Sequence, residues 1–416
     1  MPEFLELLSP TNALQTLLSA IRPDIQSEEV DTADALGRIT AQPVLAPHPL
    51  PQFRRSTVDG YAVRASDTFG AGEGLPAYLR VVGEVRMGQA DPFQLESGEC
   101  VLIHTGGMLP ENADAVVMLE HTQAISPQEI EVYRAVAMGE NVLKTGEDVS
   151  AGDVVIPTGK MIRPAEIGGL MALGITRLLV VKKPRVGIIS SGDELVNPGA
   201  NPPPGMVRDI NSYSLSGLVQ AAGGIPQRFG IVPDDFRSLR ETAKQALESC
   251  EMVVITAGSS ASTRDMTSQV IQSLGSPGVL VHGINIRPGK PTILAVCEVG
   301  GDSAARPVIG LPGNPVSALV IATLFIVPVL EALQGLERRI PRNPIQARLR
   351  VNVASQAGRE DWVPVRLMMQ GSEWIAEPIF SKSNHIFSLV RADGLLRIPP
   401  DATGAEAGRM VEIMLF

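Results

Sequence analysis

The sequence predicts a multidomain protein of the α/β plus β class, and three patterns along its 416 residues support this. Short strands with Gly and Pro turns fill residues 46–144 and indicate an inserted β-rich domain. Strands and helices alternate over 181–334, which is typical of a parallel-sheet α/β domain. Short alternating strands return over 335–416 and favour a small C-terminal β-barrel or sandwich.

Helical patterns flank the inserted domain and predict a helical linker domain in two pieces, residues 1–45 and 145–180. Apolar residues from Ala13 to Ile21 recur at helical spacing, and a second helix is predicted over 27–36. The second piece carries a helix that Gly174 would end. Because the two pieces flank an insertion, the simplest arrangement packs them into one unit.

Individual elements follow from apolar periodicity and from turn residues. In the inserted domain we predict strands at 79–85, 99–103, 115–119 and 130–136. In the α/β domain we predict strands at 186–189, 226–232, 252–256, 279–286 and 292–296, and helices at 211–222, 236–248, 265–274 and 315–333. In the last domain we predict strands at 345–353, 362–369, 374–378, 394–398 and 410–415.

The composition of the chain argues against some classes of binding partner and indicates a cellular compartment. The net charge of −10 and an aromatic content of 4% argue against nucleic acid and acidic membranes as partners. Cys100, Cys250 and Cys297 form no paired framework, and the N-terminus shows no signal peptide, so we expect a cytoplasmic protein. The apolar stretch 316–330 is shorter than a membrane span and predicts a buried core helix.

Four polar loops follow strands of the α/β domain, and we expect them to converge at one edge of the sheet. They are Ser190–Glu194, Val232–Asp235, Thr256–Asp265 and Leu311–Asn314. The third loop is rich in small hydroxylated residues and suits an oxyanion or a phosphate, although an ordinary loop with an N-cap at Asp265 is the more frequent explanation of such a pattern. No Walker A motif follows it.

Three acids in these loops are candidate Mg²⁺ ligands. Glu194, Asp234 and Asp265 could supply oxygen ligands to Mg²⁺, which binds a few carboxylates together with phosphate oxygens of a substrate. The alternative is that all three acids cap helices or face solvent.

The segment RPGKP, residues 287–291, holds two cations on a stiff backbone. Prolines and a glycine lower the entropic cost of presenting charge to an anion, so Arg287 and Lys290 suit an anion clamp better than a solvated turn. No Ser-His-Asp or Cys-His pairing is apparent, which leaves covalent catalysis without support. The residues favour phosphate-linked chemistry that depends on positioning and electrostatics.

Six segments together resemble the molybdopterin molybdenumtransferase family, which includes bacterial MoeA and the E domain of gephyrin. They are STVDGYAVR (56–64), HTGGMLP (104–110), GEDV (146–149), GDEL (192–195), RPGKP (287–291) and LPGNPVSAL (311–319). Each is weak alone, and the set in this order is highly specific.

The resemblance implies four domains: a helical linker domain, an inserted β-rich domain, a molybdopterin-binding α/β domain and a C-terminal β-barrel. It also implies a homodimer, with the active cleft between the α/β domain of one subunit and the β-rich domain of the other. The implied reaction is the Mg²⁺-dependent insertion of molybdate into adenylyl-molybdopterin with release of AMP. A molybdopterin adenylyltransferase is the implied partner protein.

The resemblance also implies roles for individual residues. Asp59, Thr105, Asp148 and Glu194 fall at catalytic positions, and Asp234 and Asp265, with Glu194, look like the magnesium carboxylates. Molybdate would contact Arg287, Lys290, Pro291, Ser317, Arg359 and Ser383. Molybdopterin or nucleotide would contact Ser190, Gly192, Asp193, Gly258, Ser259, Ser260, Pro312, Gly313 and Asn314.

Two positions depart from the family pattern. Ser262 stands where a glycine is usual, and Arg287 offers a planar fork where lysine is common. A tungstate-preferring homologue is therefore an alternative. A CinA-type nucleotide pyrophosphatase shares the α/β domain but does not require the inserted domain. A non-catalytic scaffold is the third alternative, against which the retained Asp59, Asp234, Asp265 and Lys290 argue.

Overall fold

The computed structural model describes residues 7–89, 93–258, 261–298, 305–336 and 344–416, with residues 261–264 described by their backbone only. The first elements are α1 (Pro10–Ala20), β1 (Ser27–Asp31) and β2 (Val44–Leu45). Ser9 caps α1 by accepting a hydrogen bond from the N–H of Asn12. The predicted first helix is thereby confirmed.

The inserted β-rich domain is built on one six-stranded sheet. Its strands are β3 (Arg55–Ser56), β4 (Gly60–Val63), β5 (Ala77–Glu84), β6 (Glu99–Ile103), β7 (Ala115–Met118), β8 (Thr122–Ser126), β9 (Glu129–Val132) and β10 (Val142–Leu143). The sheet order is β7-β4-β6-β5-β9-β8, while β3 pairs with β10. Apolar side chains from both faces of the sheet form two buried clusters. The four predicted strands are present as β5, β6, β7 and β9, whereas β3, β8 and β10 were not predicted.

The linker region contains β11 (Val154–Ile156), α2 (Pro164–Ala172) and β12 (Arg177–Val181). The prediction of a second helix over residues 27–36 is wrong, because Ser27–Asp31 pairs with Val181–Arg177 as an antiparallel ribbon. A short 3-10 turn at Thr32–Asp34 follows it. The region is therefore less helical than predicted. Its own apolar cluster joins Ala35 with the side chains of Leu170 and Leu178, whereas α1 packs against the α/β domain.

The α/β domain has a central six-stranded sheet. Its elements are β13 (Arg185–Ser191), β14 (Leu195–Val196), β15 (Val207–Arg208), α3 (Asn211–Ala221), β16 (Ile225–Val232), α4 (Phe236–Ser249), β17 (Met252–Ala257), α5 (Ala261–Gln272), β18 (Pro277–His282), β19 (Ile286–Arg287), β20 (Ile293–Glu298), β21 (Ala305–Pro312), α6 (Pro315–Ile321) and α7 (Val327–Leu333). The order is β16-β13-β17-β21-β20-β18. The first four strands are parallel, whereas β20 runs antiparallel to both of its neighbours, β21 and β18, so the sheet is mixed and not all-parallel as predicted.

One continuous helical stretch, Pro315–Leu333, lies in the core of this domain. A π-helical segment, Ala322–Ile326, separates α6 from α7. Pro328 lies two residues after this segment and lacks the N–H that an α-helix needs, so the wider turn is an ordinary accommodation of proline. In the described chain this stretch alone is long and apolar enough to span a membrane, and 72% of its most apolar window is buried in the protein. The predicted core helix is confirmed.

The C-terminal domain is a closed barrel. Its elements are β22 (Ile345–Leu349), β23 (Val353–Ala354), β24 (Glu360–Gln370), β25 (Glu373–Pro378), α8 (Phe387–Val390), β26 (Gly394–Ile398), β27 (Gly404–Ala405) and β28 (Met410–Leu415). Five strands close in the order β24-β25-β22-β28-β26 because β26 also pairs with β24. The sixth strand of this sheet is β19, which comes from the α/β domain and pairs in parallel with β24. The predicted fold class is confirmed, and the barrel is joined to the α/β domain by a shared sheet.

Candidate functional site

A cavity of about 830 Å³ lies between the α/β domain and the barrel. Its walls come from the RPGKP loop, the beginning of α6 and the barrel segments around Arg359 and Ser383. Eight residues predicted from the sequence line it: Arg287, Lys290, Pro291, Pro312, Asn314, Ser317, Arg359 and Ser383. All six residues predicted for molybdate are therefore brought together.

The charged groups of this cavity are mostly positive. Four basic side chains line it, Arg287, Lys290, Arg359 and Lys382, against one carboxylate, Asp361. The excess of positive charge occurs in a chain whose net charge is −10. Low-dielectric walls focus such a local field, which favours an anion of more than one charge.

The basic loop is held rigidly by its own backbone. The Thr292 hydroxyl donates to the Gly289 carbonyl at 2.7 Å, and the Ile284 N–H donates to the Lys290 carbonyl at 2.9 Å. Gly289 has a φ of +109°, and a β-carbon there would lie 2.3 Å from Cγ1 of the buried Ile321. Only glycine therefore fits both the backbone conformation and the space at this position.

We expect Gly289→Ala to lower the Tm and to abolish molybdate binding, because the added methyl group must displace either the basic loop or α6. Gly174→Ala is the matched control, since Gly174 has a φ of +69° with no atom near its absent β-carbon. That variant should show only the left-handed backbone strain of about 1–2 kcal/mol. Differential scanning fluorimetry with and without molybdate measures both effects, and equal behaviour of the two variants would contradict the steric argument.

The barrel reaches the cavity through two backbone connections. In the β19–β24 pair Arg287 lies opposite Asp361, and the Glu360 N–H donates to the Asn285 carbonyl at 3.2 Å. At the beginning of α6 the Val316 N–H donates to the Ser383 carbonyl at 3.0 Å. These bonds place the Arg359 and Ser383 segments beside residues of the α/β domain.

The carboxylate of Asp361 is buried and contacts the guanidinium groups of two arginines. Arg359 donates from Nε to Oδ1 at 2.7 Å and from Nη2 to Oδ2 at 3.2 Å. Arg287 Nη1 lies 3.8 Å from Oδ2. Both guanidinium groups therefore converge on one acid in the cavity wall.

The strand-end loops do converge at the carboxyl edge of the parallel strands. The Ser191 hydroxyl donates to Asp234 Oδ1 at 2.7 Å, and the Asp234 N–H donates to Asp193 Oδ1 at 3.2 Å. Asn211 Nδ2 donates to the Gly313 carbonyl at 2.8 Å. Three loops predicted to meet are thus linked to one another or to α3.

A buried acid that was not predicted, Asp209, holds hydroxyl groups at the carboxyl edge of the sheet. Asp209 is 5% exposed and accepts hydrogen bonds from Ser190 Oγ at 3.0 Å and from Ser212 Oγ at 2.6 Å. Position 313, at the end of β21, requires glycine, because a β-carbon there would lie 2.8 Å from the Ala257 carbonyl oxygen. The close approach of the β17 and β21 ends depends on that missing side chain.

The candidate magnesium ligands do not form a preassembled cage. Within the described ranges, no group of three or more His, Cys, Asp or Glu side chains could hold a metal. Asp234 Oδ1 is engaged by Ser191, and Glu194 and Asp265 are exposed. This donor set fits Mg²⁺ only in the mode in which one or two carboxylates act together with phosphate oxygens of a substrate.

The position of Asp265 differs from the prediction. Helix α5 begins at Ala261, so Asp265 lies within the helix and is not its N-cap. Asp234 is not a cap either, because Asp235 caps α4 by accepting from the Ser238 N–H at 2.8 Å. Ser259 and Ser260, predicted to bind nucleotide, lie outside the described residues.

The inserted domain carries a separate polar group around Asp59. Asp59 Oδ1 accepts from the Thr105 N–H at 2.7 Å and from the Thr105 hydroxyl at 3.1 Å. His104 lies between two acids, with Nε2 2.9 Å from Glu84 Oε1 and Nδ1 3.8 Å from Asp59 Oδ1. The backbone N–H of Thr105 is the main cause that lowers the pKa of Asp59 below its ordinary value.

This group and the cavity remain apart within one chain. Every residue that lines the cavity lies between Ile286 and Asn384. Asp59 and Thr105 contact each other, and Asp148 is exposed on a turn where its N–H donates to the Leu50 carbonyl. Of the predicted catalytic residues, Asp59 and Thr105 therefore form a pair in the inserted domain, Glu194 lies at the α/β edge, and Asp148 lies in the linker region.

Thr105→Val should raise the pKa of Asp59 toward its ordinary value, because it removes the hydroxyl bond to the ionised carboxylate and keeps the backbone bond. The pKa of Asp59 in the folded protein is lowered. Its stabilising effect is thus present above the pKa of the unfolded chain and is lost as pH falls through the folded value. Carbon-13 NMR titration of aspartate carboxyl groups measures the change. Thr57→Val is the control, and an unchanged Asp59 pKa in Thr105→Val would contradict the assignment.

Sequence reasoning missed Asp361, Lys382, Asp209 and Asn211. Asp361 stands two residues after Arg359, and Lys382 directly precedes Ser383, so proximity to predicted residues was the available signal. Asp209 and Asn211 flank the beginning of α3, where polar residues read as ordinary helix-capping signals.

Comparisons with known proteins match the chain over nearly its whole length. Three family models match consecutive parts of the chain: the MoeA N-terminal region (domain I and II) at residues 8–174, the probable molybdopterin binding domain at 187–332 and the MoeA C-terminal region (domain IV) at 346–416. The solved MoeA protein of Pyrococcus horikoshii OT3 superposes with a TM-score of 0.84 at 33% identity, covering 99% of this chain and 100% of that one.

Curated relatives span nearly the whole chain. A putative molybdopterin biosynthesis protein of Methanocaldococcus jannaschii is 38% identical over 398 residues, which cover 94% of this chain and 92% of the relative. The molybdopterin molybdenumtransferase of Nostoc sp. is 31% identical over 405 residues, with 97% and 92% covered. The chain therefore belongs to the MoeA family of molybdopterin molybdenumtransferases, which are transferases of molybdenum cofactor biosynthesis.

Proposed function

We propose that the protein inserts molybdate into adenylyl-molybdopterin in a Mg²⁺-dependent reaction that releases AMP and forms the molybdenum cofactor. The observation that carries this proposal is the cavity in which Arg287, Lys290 and Arg359 face Ser317 and Ser383. Molybdate is a tetrahedral dianion, and such an ion needs several fixed donors and cations. The name of the Nostoc relative supports the same reaction class.

Each part of the site has a role in this reaction. The basic cavity would hold molybdate, and the loops at the carboxyl edge, with Ser190, Gly192, Asp193, Gly258, Pro312, Gly313 and Asn314, would hold the molybdopterin and adenylyl parts. Release of AMP breaks a phosphoanhydride bond, on which Mg²⁺ would neutralise developing charge. Asp234 and Asp265, with Glu194, would hold that ion together with substrate phosphates.

A homodimer would complete the site. Asp59 and Thr105 stand in an exposed group with a carboxylate kept ionised, and they do not reach the cavity of their own chain. The inserted domain of a second copy would bring them to the substrate. A molybdopterin adenylyltransferase would be the partner that supplies it. The three free, buried cysteines support a reducing cytoplasm as the compartment.

The test is incubation of the purified protein with adenylyl-molybdopterin, Mg²⁺ and either molybdate or tungstate, with AMP and metal content of the product followed together. We expect AMP release that depends on molybdate and yields molybdenum-loaded product. Faster reaction with tungstate would assign a tungsten preference. AMP release without incorporated metal would favour a CinA-type pyrophosphatase, and no AMP with either oxyanion would favour a scaffold.

A further inference from the structure

One buried carboxylate joins basic side chains from two domains in the cavity wall. Asp361, on β24 of the barrel, is 3% exposed and accepts a forked pair of hydrogen bonds from Arg359. It also forms a longer ion pair with Arg287, whose Nη1 lies 3.8 Å from Oδ2. Forked pairs between a guanidinium and a carboxylate are strong and fix the relative orientation of both groups. In the described chain, Asp361 is the one acid among the residues that line this cavity.

The backbone fixes this arrangement independently of the side chains. In the β19–β24 pair Arg287 is the direct register partner of Asp361. The preceding acid, Glu360, serves different partners, because it accepts from Trp362 Nε1 at 2.8 Å and from Arg397 Nη2 at 2.7 Å. Two adjacent buried acids thus have separate tasks, one within the barrel and one in the cavity.

We propose that Asp361 is a positioning residue for the oxyanion substrate, which acts by orienting the guanidinium of Arg359 and, through the longer contact, that of Arg287. This inference rests on the proposed function. Arg359 uses Nε and Nη2 on Asp361, and its Nη1 makes no hydrogen bond to the described residues. Because the five N–H groups of a guanidinium share one plane, fixing one edge also fixes the direction of the free donors.

Asp361 could instead act only by its negative charge, and this role predicts the opposite change in molybdate affinity when the charge is removed. A carboxylate beside an anion site repels the anion, so removal of its charge alone would tighten molybdate binding. Removal of its orienting bonds would weaken molybdate binding, because the arginine side chains must then be ordered when the anion binds. The sign of the change in affinity therefore separates positioning from simple charge balance.

The experiment is equilibrium dialysis of the full-length protein against sodium molybdate. We expect Asp361→Asn to bind molybdate about 10- to 100-fold more weakly, the range seen when a supporting group behind a ligand is removed. In an Arg359→Gln background, Asp361→Asn should add little further loss, because Asp361 acts largely through Arg359. Glu360→Gln is the control, which removes a neighbouring buried carboxylate with its own arginine partner and should leave molybdate binding unchanged.

Tighter or unchanged binding by Asp361→Asn, or a loss that adds fully to that of Arg359→Gln, would overturn the inference. If Asp361→Asn does not fold, Asp361→Glu replaces it, since glutamate keeps the charge but moves the carboxylate by one methylene. Positioning predicts weaker binding by that variant, and charge balance predicts wild-type binding. Dialysis needs no adenylyl-molybdopterin, so wild-type protein that binds molybdate yet releases no AMP would overturn the proposed function alone.

Discussion

Replacement of Asp265 by asparagine is expected to abolish Mg²⁺-dependent release of AMP from adenylyl-molybdopterin while leaving the fold intact. Asp265 is exposed on α5, the helix that follows β17 at the carboxyl edge of the sheet. Asparagine keeps the shape of the side chain and removes the anionic oxygen that Mg²⁺ prefers. Loss of metal-assisted stabilisation of the leaving group, worth several kcal/mol, corresponds to a rate decrease of about 100-fold or more.

Initial rates of AMP release at saturating Mg²⁺ measure this effect. Asp235→Asn is the matched control, because Asp235 is an exposed acid of the neighbouring loop that caps α4 and asparagine caps helices equally well. Wild-type rates in Asp265→Asn would remove Asp265 from the metal assignment. An equal loss in Asp235→Asn would show that any change of charge near this edge is sufficient.

Lys290→Gln is expected to raise the KM for molybdate by about 10- to 100-fold, since a hydrogen bond to a charged group contributes about 1.5–3 kcal/mol. Lys290 is exposed at the cavity and makes no ion pair in the described part of the chain, so its charge is available to a ligand. Its backbone carbonyl accepts from the Ile284 N–H, which keeps the loop in place when the side chain changes.

The measurement is the rate of AMP release against molybdate concentration at saturating adenylyl-molybdopterin. Lys244→Gln is the control, because Lys244 is a basic residue of α4 that does not line the cavity. Its Nζ lies 3.9 Å from Glu248 Oε1. An unchanged KM in Lys290→Gln would exclude the RPGKP loop as the molybdate clamp. A fall in kcat alone would indicate that Lys290 acts after molybdate has bound.

Elements whose pattern reflects their own burial could be predicted from the sequence. The run Val186–Ile189 is fully buried in an interior strand of the sheet, as its apolar residues indicated. The strand Ser27–Asp31 could not be predicted, because four of its five residues are exposed and its partner lies about 150 residues away. Strand direction is also absent from the local pattern, which explains why β20, which runs antiparallel to its neighbours β21 and β18, was placed in a parallel sheet.

The candidate site shows the same division. RPGKP could be predicted to line the site because prolines, glycine and cations stand together in five residues, and the loop does line the cavity. Arg359 and Ser383 required the family resemblance, since nothing local distinguishes them. Asp361 could not be separated from Glu360, because only the register of β24 against β19 decides which acid meets Arg287.

The pairing of β19 with β24 has a consequence for the local unfolding of the protein. Ile286 and Arg287, where the RPGKP loop begins, belong by sequence to the α/β domain and by hydrogen bonding to the barrel sheet. A local opening that releases the barrel must therefore also release Arg287, and the boundary of the cooperative unfolding unit does not coincide with the boundary of the domain along the chain. Protection of these amides against hydrogen exchange is thus a property of the barrel.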